Sequence, residues 1–180
     1  MTAVMRRLAS LFVALVAIVA PNLAAADLQQ LSSAAYEYRN NLYSVPPSSG
    51  DYEQLRAQLD DLMAGTDQAA AETLAEGMVP AGYENYDLWR SLFDIKTKLG
   101  KGLDAAYVAY LATEYAPDSA AKADAFKLLG QALEQIKRPG EALDAYDQAV
   151  NLTQDADARE AYKRLSRTIP FQIASTEVST

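Results

Sequence analysis

The sequence contains neither cysteine nor histidine. Without cysteine it can form no disulfide, no thiolate metal site and no cysteine nucleophile. Without histidine it can form no Ser-His-Asp triad and no imidazole metal site. Paired carboxylates remain, at Asp60 with Asp61 and at Glu141 with Asp144. We expect them on helix surfaces, where nothing raises their pKa values as general acid catalysis requires. The sequence therefore predicts a protein that is not an enzyme and that carries no metal or cofactor.

Long apolar runs are also scarce, because the one clear example, Leu8 to Ala20, has only 13 residues. That length is too short to cross a bilayer as a helix. Arg6-Arg7 precede the run, and the small residues Ala24 to Ala26 follow it, which is typical of a cleaved secretory signal. We therefore predict a signal peptide at residues 1–26 and export across the inner membrane, with the periplasm as the final compartment. An uncleaved N-terminal anchor is the alternative, and it too would place the remaining chain outside the cytoplasm.

The sequence contains fewer basic than acidic residues, 16 against 24, and its net charge is −8. Nucleic-acid binding requires clustered lysine and arginine, and so does attraction to anionic membrane surfaces. We therefore expect neither nucleic acid nor a membrane surface as a partner. The charge is best explained as a source of solubility.

Proline and glycine clusters divide the rest of the chain into helical segments. An N-terminal helix and a Pro/Ser linker occupy 27–50, a helical domain 51–168 and an extended tail 169–180. Pro80-Ala81-Gly82 is predicted as a turn, and Pro170 to Val178 as a short strand. Tyr36, Tyr38 and Tyr43 give the first helix a face that is predicted to cap the apolar end of the domain. The fold class is all-α, a short solenoid of about three antiparallel helical hairpins with capping helices at both ends.

A repeated pattern supports this architecture. Its best copy combines an aromatic, Leu, Gly and an apolar residue in one helix with small, aromatic and small residues in the next: Phe126, Leu129, Gly130, Leu133, Ala142, Tyr146 and Ala149. This pattern resembles the tetratricopeptide repeat. The small residues Gly130 and Ala142 would let two helices cross closely, while the aromatic rings would fill the space between neighbouring helices.

Two further copies precede it. The nearer one matches at Trp89, Leu92, Ala105, Ala112 and Pro117. It departs from the pattern where Phe93 replaces the glycine and Ala109 replaces the second aromatic residue. A degenerate copy begins 34 residues before Trp89, with Leu55, Leu62, Ala71, Ala75 and Met78. A helical bundle without repeats is the alternative interpretation.

The resemblance implies that the first helix of each pair lines a concave groove that binds a peptide or protein. By phase, eight residues are candidates for this groove: Arg56, Asp60, Arg90, Asp94, Lys98, Lys127, Gln131 and Glu134. The set is mixed in sign. It also lacks the basic clamp for a peptide carboxylate found in some members, because Asp60, Asp124 and Leu128 stand at those positions.

A looser resemblance covers Trp89 to Val178. Helical hairpins followed by a charged helix and a Pro-Phe-x-Ile segment are similar to the N-terminal region of some bacterial α2-macroglobulin-like proteins. This resemblance implies an alternative function, as the helical N-terminal segment of an endopeptidase inhibitor. The chain has no thioester cysteine, so no trapping chemistry can be assigned to its residues.

Overall fold

The computed structural model describes residues 29–168, and every regular element in that part of the chain is an α-helix. The predicted signal peptide and the predicted strand at Pro170 to Val178 lie outside the described residues. The first helix, α1, includes residues 29–42. Seven more follow it: α2 (Tyr52–Ala64), α3 (Gln68–Gly82), α4 (Tyr86–Lys98), α5 (Gly102–Glu114), α6 (Ser119–Gln135), α7 (Pro139–Thr153) and α8 (Ala156–Thr168).

Short polar side chains begin most of these helices. Asp51 accepts a hydrogen bond from the backbone of Glu53, and Asp67 accepts one from Ala70. Asn85 and Asp118 cap α4 and α6 in the same way. Each cap satisfies a backbone N–H that the first helical turn leaves without a partner. Local hydrogen bonds of this kind therefore set the starts of α2, α3, α4 and α6, as the sequence pattern predicts.

One predicted turn is wrong, because α3 continues through Pro80 to Gly82. A proline inside a helix removes one backbone hydrogen bond and crowds the preceding turn. Met78 and Val79 are almost completely buried just before it, so tertiary packing keeps the last turn helical. The linker also supports this turn, since the Ser48 backbone N–H donates to the carbonyl oxygen of Gly77 at 2.9 Å.

Helices α2 to α8 pack in chain order, each against the next. The result is an all-α solenoid of three antiparallel hairpins, α2–α3, α4–α5 and α6–α7, followed by α8. Small side chains at equivalent places in the second helices are fully buried: Ala71, Ala105 and Ala142. Close helix contacts at a repeated position are what the sequence pattern predicts.

The third hairpin shows how close this contact is. A Cβ atom added to Gly130 would lie 2.6 Å from the Tyr146 ring, so no larger residue fits without movement. The second hairpin has Phe93 and Ala109 at the corresponding positions, and both are buried. A large and a small residue have exchanged helices, and both remain buried.

Helix α1 covers apolar surface of the stack, but the prediction that it caps the end of the domain is wrong, because the surface it covers is the flank formed by α5. Tyr36 packs edge-on against Tyr110 with 6.1 Å between ring centroids, and Tyr38 packs against Tyr107 at 5.7 Å. Arg39 donates a hydrogen bond to the hydroxyl of Tyr115, the residue that ends α5, at 2.7 Å. Helix α5 therefore packs against α1 as well as against α4 and α6.

Candidate functional site

The first helices of the hairpins lie side by side and form one face with α8, which we call the first-helix face. Tyr86 of α4 donates to the carbonyl oxygen of Ala121 in α6 at 3.0 Å. Lys98 of α4 reaches back to the carbonyl oxygen of Met63 in α2 at 3.2 Å. These contacts join alternate helices in the chain, as a stack of hairpins requires.

One cation on each first helix connects it to the next helix of this face. Arg56 donates to the backbone carbonyl of Asp87 at 3.3 Å. Arg90 pairs with the carboxylate of Asp124. We call each of these contacts a rung. The three rungs, of which the third joins Lys127 to Asp155, form what we call the ladder. The rungs resemble one another, because the cation and its acceptor recur at matching places in successive hairpins.

The third rung joins Lys127 to the carboxylate of Asp155 at 3.5 Å. Lys127 also lies 3.6 Å from Asp124, so that acid contacts two rungs. The N–H of Ala158 is the main reason why the pKa of Asp155 lies below its ordinary value, with Lys127 adding to the effect. Asp155 therefore stays ionised and holds the start of α8 against α6.

Glu134 fixes the far end of α8. Both terminal nitrogens of Arg164 donate to its carboxylate, at 2.7 and 2.8 Å, and the Tyr146 hydroxyl donates at 2.8 Å. Arg164 lowers the pKa of Glu134 against the opposing effect of burial. Burial, followed by the hydrogen bond to Glu134, raises the pKa of Tyr146. Glu134 is thus a structural contact rather than an available groove group.

Six of the eight predicted groove residues are engaged with other parts of the protein: Arg56, Asp60, Arg90, Lys98, Lys127 and Glu134. The other two, Asp94 and Gln131, have no side-chain hydrogen bond or salt bridge within residues 29–168. They stand at the same repeat position, 37 residues apart. The face therefore offers two polar groups that form no hydrogen bond or salt bridge with the described residues, although the charge of Asp94 also acts on Arg90.

Sequence reasoning missed the acceptor side of the ladder. The residues predicted from the sequence include neither Asp87 nor Asp155, and Asp124 is named there only at a position where a clamp would need a different group. A signal was present, because an acidic residue precedes each ladder cation by three residues at Glu53, Asp87 and Asp124. Finding the partners from that signal requires knowing that the first helices are neighbours.

A second polar cluster, absent from the sequence predictions, surrounds Lys96. This side chain is 2% exposed, although it stands at the repeat position that Leu133 fills in the next hairpin. Its ammonium nitrogen lies 2.6 Å from Glu72 and 3.5 Å from Asp104, and it also pairs with Glu76. It therefore links α4 to both α3 and α5.

Other groups complete the environment of this lysine. Its nitrogen lies 5.5 Å from the centre of the Tyr38 ring in α1, a cation–π contact. Burial alone would lower the pKa of Lys96, but hydrogen bonds to Glu72 and Glu76 outweigh burial and raise it. A lysine nucleophile needs a lowered pKa to supply a free amine. Lys96 is held in the opposite state, as a permanent cation.

Glu141 and Asp144 are predicted to lie on an exposed helix surface, but Glu141 is buried and Asp144 is only partly exposed. Glu141 is 5% exposed and contacts Arg138. It shares one side of α7 with the buried Ala145, and this explains its burial. Burial and then the charge of Asp147 raise the pKa of Asp144. In the described part of the chain, no group of three or more potential ligands could hold a metal ion.

The surface formed by residues 29–168 has depressions, and two of them are well defined. One, of about 420 Å³, lies at the turn between α3 and α4, where Tyr52 and Asn85 contribute to its wall. The other, of about 390 Å³, is more apolar and lies where α1 meets α5, α6 and α7, with Phe126 and Leu129 in its wall. Neither contains a residue of the ladder or of the Lys96 cluster.

A scan against protein-family models finds no match to this sequence. A search of curated proteins finds no match either. Among the helices of residues 29–168, none has the length and apolar character needed to cross a membrane.

Proposed function

We propose that this protein belongs to the tetratricopeptide-like helical repeat proteins and acts as a non-catalytic scaffold. Its first-helix face binds an extended peptide or a segment of a partner protein, and the periplasm is the compartment in which it does so. The observation that supports this proposal most directly is the pair of available groups, Asp94 and Gln131. They occupy equivalent positions on neighbouring helices, where a partner lying across the helices would meet both.

The ladder supports the same function indirectly. It fixes the spacing of α2, α4 and α6 before any partner arrives. A preformed surface binds more tightly, because less conformational freedom is lost on association. Because the ladder cations are paired, Asp94 and Gln131 remain as acceptor groups in the centre of the face, while Asp60, at the equivalent place on α2, pairs with Arg56. We therefore expect a partner that donates hydrogen bonds, through backbone amides or basic side chains.

Photo-crosslinking in living cells tests this proposal. A photoreactive amino acid replaces Asp94 in one variant and Gln131 in another, while a third variant carries it at Thr73, which is exposed on α3. We expect the same partner to be captured at the first two positions and not at the third. Equal capture at all three positions, or capture at Thr73 alone, would contradict a site on the first-helix face.

A second variant tests the chemistry. Asp94→Lys combined with Gln131→Lys introduces two cations without replacing a ladder residue. It removes the charge of Asp94 near Arg90, but neither side chain is buried, so the fold should be preserved. We expect loss of the captured partner with an unchanged helical circular dichroism spectrum. The alternative function, as a segment of an inhibitor, depends on residues beyond 168 and remains a prediction from the sequence.

A further inference from the structure

The ladder is incomplete at both ends of the stack. Glu53 stands 34 residues before Asp87, at the place of an acceptor, but the described residues before α2 supply no cation to it. At the other end, Arg159 follows the last acceptor, Asp155, by four residues, one more than the spacing of the earlier cations, and so places a cation about one helical turn after it. Within residues 29–168 neither side chain forms a salt bridge, and Arg159 donates only to the neutral side chain of Gln154.

The outward sides of the two terminal helices of the stack carry opposite charge. On α2, Glu53, Asp60 and Asp61 are exposed, and of these only Asp60 forms a salt bridge in the described chain. On α8, Lys163 and Arg167 are exposed and continue the line of Arg159 at four-residue spacing, and the exposed Glu160 is an acidic neighbour of this line. The two helices therefore present complementary stripes, one acidic and one predominantly basic.

We propose that this protein associates head to tail with further copies of itself, with the outer side of α8 in one copy against the outer side of α2 in the next. Arg159 then pairs with Glu53 of the next copy and adds a rung to the ladder. Lys163 and Arg167 then face Asp60 and Asp61 on α2 of the next copy. Because the two surfaces differ, the contact is heterologous, and repeating it produces an open chain of copies rather than a closed dimer.

The strength of this contact follows from its chemistry. Exposed ion pairs are individually weak because water already solvates both charges, so a few of them give weak association. Salt screens such pairs, with a screening length of about 10 Å at 0.1 M and about 3 Å at 1 M. The net charge of −8 also opposes contact between copies in general. Association should therefore require a high protein concentration and low salt.

Sedimentation velocity tests the proposal. The sample is the protein as the cell produces it, purified from the compartment in which it accumulates. At low salt we expect the average mass to increase continuously with protein concentration, and to return to the monomer value at about 1 M salt. A monomer at every concentration at low salt would overturn the proposal. So would a dimer that does not extend further, because this indicates a symmetric contact.

Charge reversal identifies the surfaces. Glu53→Lys and Arg159→Glu should each weaken association about tenfold or more when studied alone. Mixing the two variants should restore it, because the new cation on α2 of one variant then faces the new carboxylate on α8 of the other. Glu37→Lys on α1 and Lys122→Glu on α6 are controls of matched charge, and we expect them to associate like the unchanged protein. Failure of the mixture to associate, or an equal loss in the controls, would overturn the assignment of these two helices.

This outcome is separable from the proposed partner site. Crosslinking at Asp94 and Gln131 reports on the middle of the first-helix face, and sedimentation reports on its two ends. Asp94→Lys with Gln131→Lys should leave self-association intact, while Glu53→Lys should leave partner capture intact. Either proposal can therefore fail without the other.

Discussion

The second and third hairpins occupy equivalent places in the stack but achieve their packing differently. In α6–α7 the close contact combines Gly130 with Tyr146. In α4–α5 the bulk is on the first helix, at Phe93, and Ala109 is the small partner. The hairpin with the poorer motif still buries both members of its pair. The repeat pattern therefore marks positions that are buried in both hairpins, while the large and the small residue can stand on either helix.

A second difference concerns polarity. The third hairpin has Leu133 at a fully buried position, while the second has Lys96 there. A leucine needs only apolar neighbours. A buried ammonium group needs acceptors, and Lys96 obtains its acceptors from other helices. The second hairpin is therefore the one whose packing depends more on its neighbours.

Replacing Lys96 with leucine makes the two hairpins alike at this position. Of the substitutions considered that remove a side-chain contact, we expect it to reduce the stability of the fold the most. Glu72 and Glu76 would lose their shared buried cation, so we expect the free energy of unfolding to fall by about 3 kcal/mol. Urea denaturation measures this change. Lys98→Leu is the matched control, because Lys98 lies two residues away and is exposed. Similar unfolding midpoints for the two variants would show that the Lys96 cluster does not stabilise the fold.

Gly130→Ala tests the close contact of the third hairpin. The added carbon would lie 2.6 Å from the Tyr146 ring, and we expect a loss of about 1 to 3 kcal/mol in unfolding free energy. Gly140→Ala, where nothing lies within 4 Å of the added carbon, should cause no loss. Thermal unfolding compares the two variants. If Gly130→Ala is as stable as Gly140→Ala, the packing of α6 against α7 has been misinterpreted.

The size exchange can be transferred between the hairpins. Gly130→Phe alone should be poorly folded, since the position has no room for a ring. Gly130→Phe with Tyr146→Ala reproduces the pair of the second hairpin and should recover part of the lost stability. The same denaturation measurement applies. No recovery in the double variant would mean that the two hairpins do not pack in the same way.

Acid should weaken the contact between α3 and α4, because this contact depends on the ionised carboxylate of Glu72. Burial would raise the pKa of Glu72, but hydrogen bonds from Lys101 and Lys96 outweigh it and hold the pKa below its ordinary value of 4.5. Its stabilising effect is therefore complete above that value and is lost as the pH falls through the lower pKa of the folded protein. We expect Glu72→Gln to lose about 1.5 kcal/mol at neutral pH. The difference from the unchanged protein should disappear in acid, as urea denaturation at several pH values would show, and a constant difference would contradict this.

The smallest expected effect is on the ladder, which both hairpins share. Arg90→Gln removes the pair with Asp124, whose members are both partly exposed, so we expect a loss of about 0.5 kcal/mol that decreases with added salt. Denaturation of this variant at low and high salt provides the test. A loss of stability as large as that of Lys96→Leu would mean that the partly exposed Arg90–Asp124 pair and the buried Lys96 cluster stabilise the fold equally, which contradicts this prediction.

The helices and their boundaries could be predicted because their causes are local. Asp51, Asp67 and Asn85 cap the helices that follow them in the sequence. The hydrophobic spacing within each helix is likewise readable from neighbouring residues. The prediction at Pro80 was wrong because burial of the residues just before it overrides its local preference. The groove candidates were assigned to the first helices, but sequence phase could not show that most of them are engaged.

By itself, the sequence determined the all-α composition, the order of the hairpins and the lack of histidine and cysteine chemistry. Only the tertiary structure decided that Lys96 is buried among Glu72, Glu76 and Asp104, that α1 lies against α5, and that the cations of the first-helix face are paired. The reason is physical. Helix formation depends on contacts within a few residues, whereas the state of a charged side chain depends on partners that the fold brings from other helices.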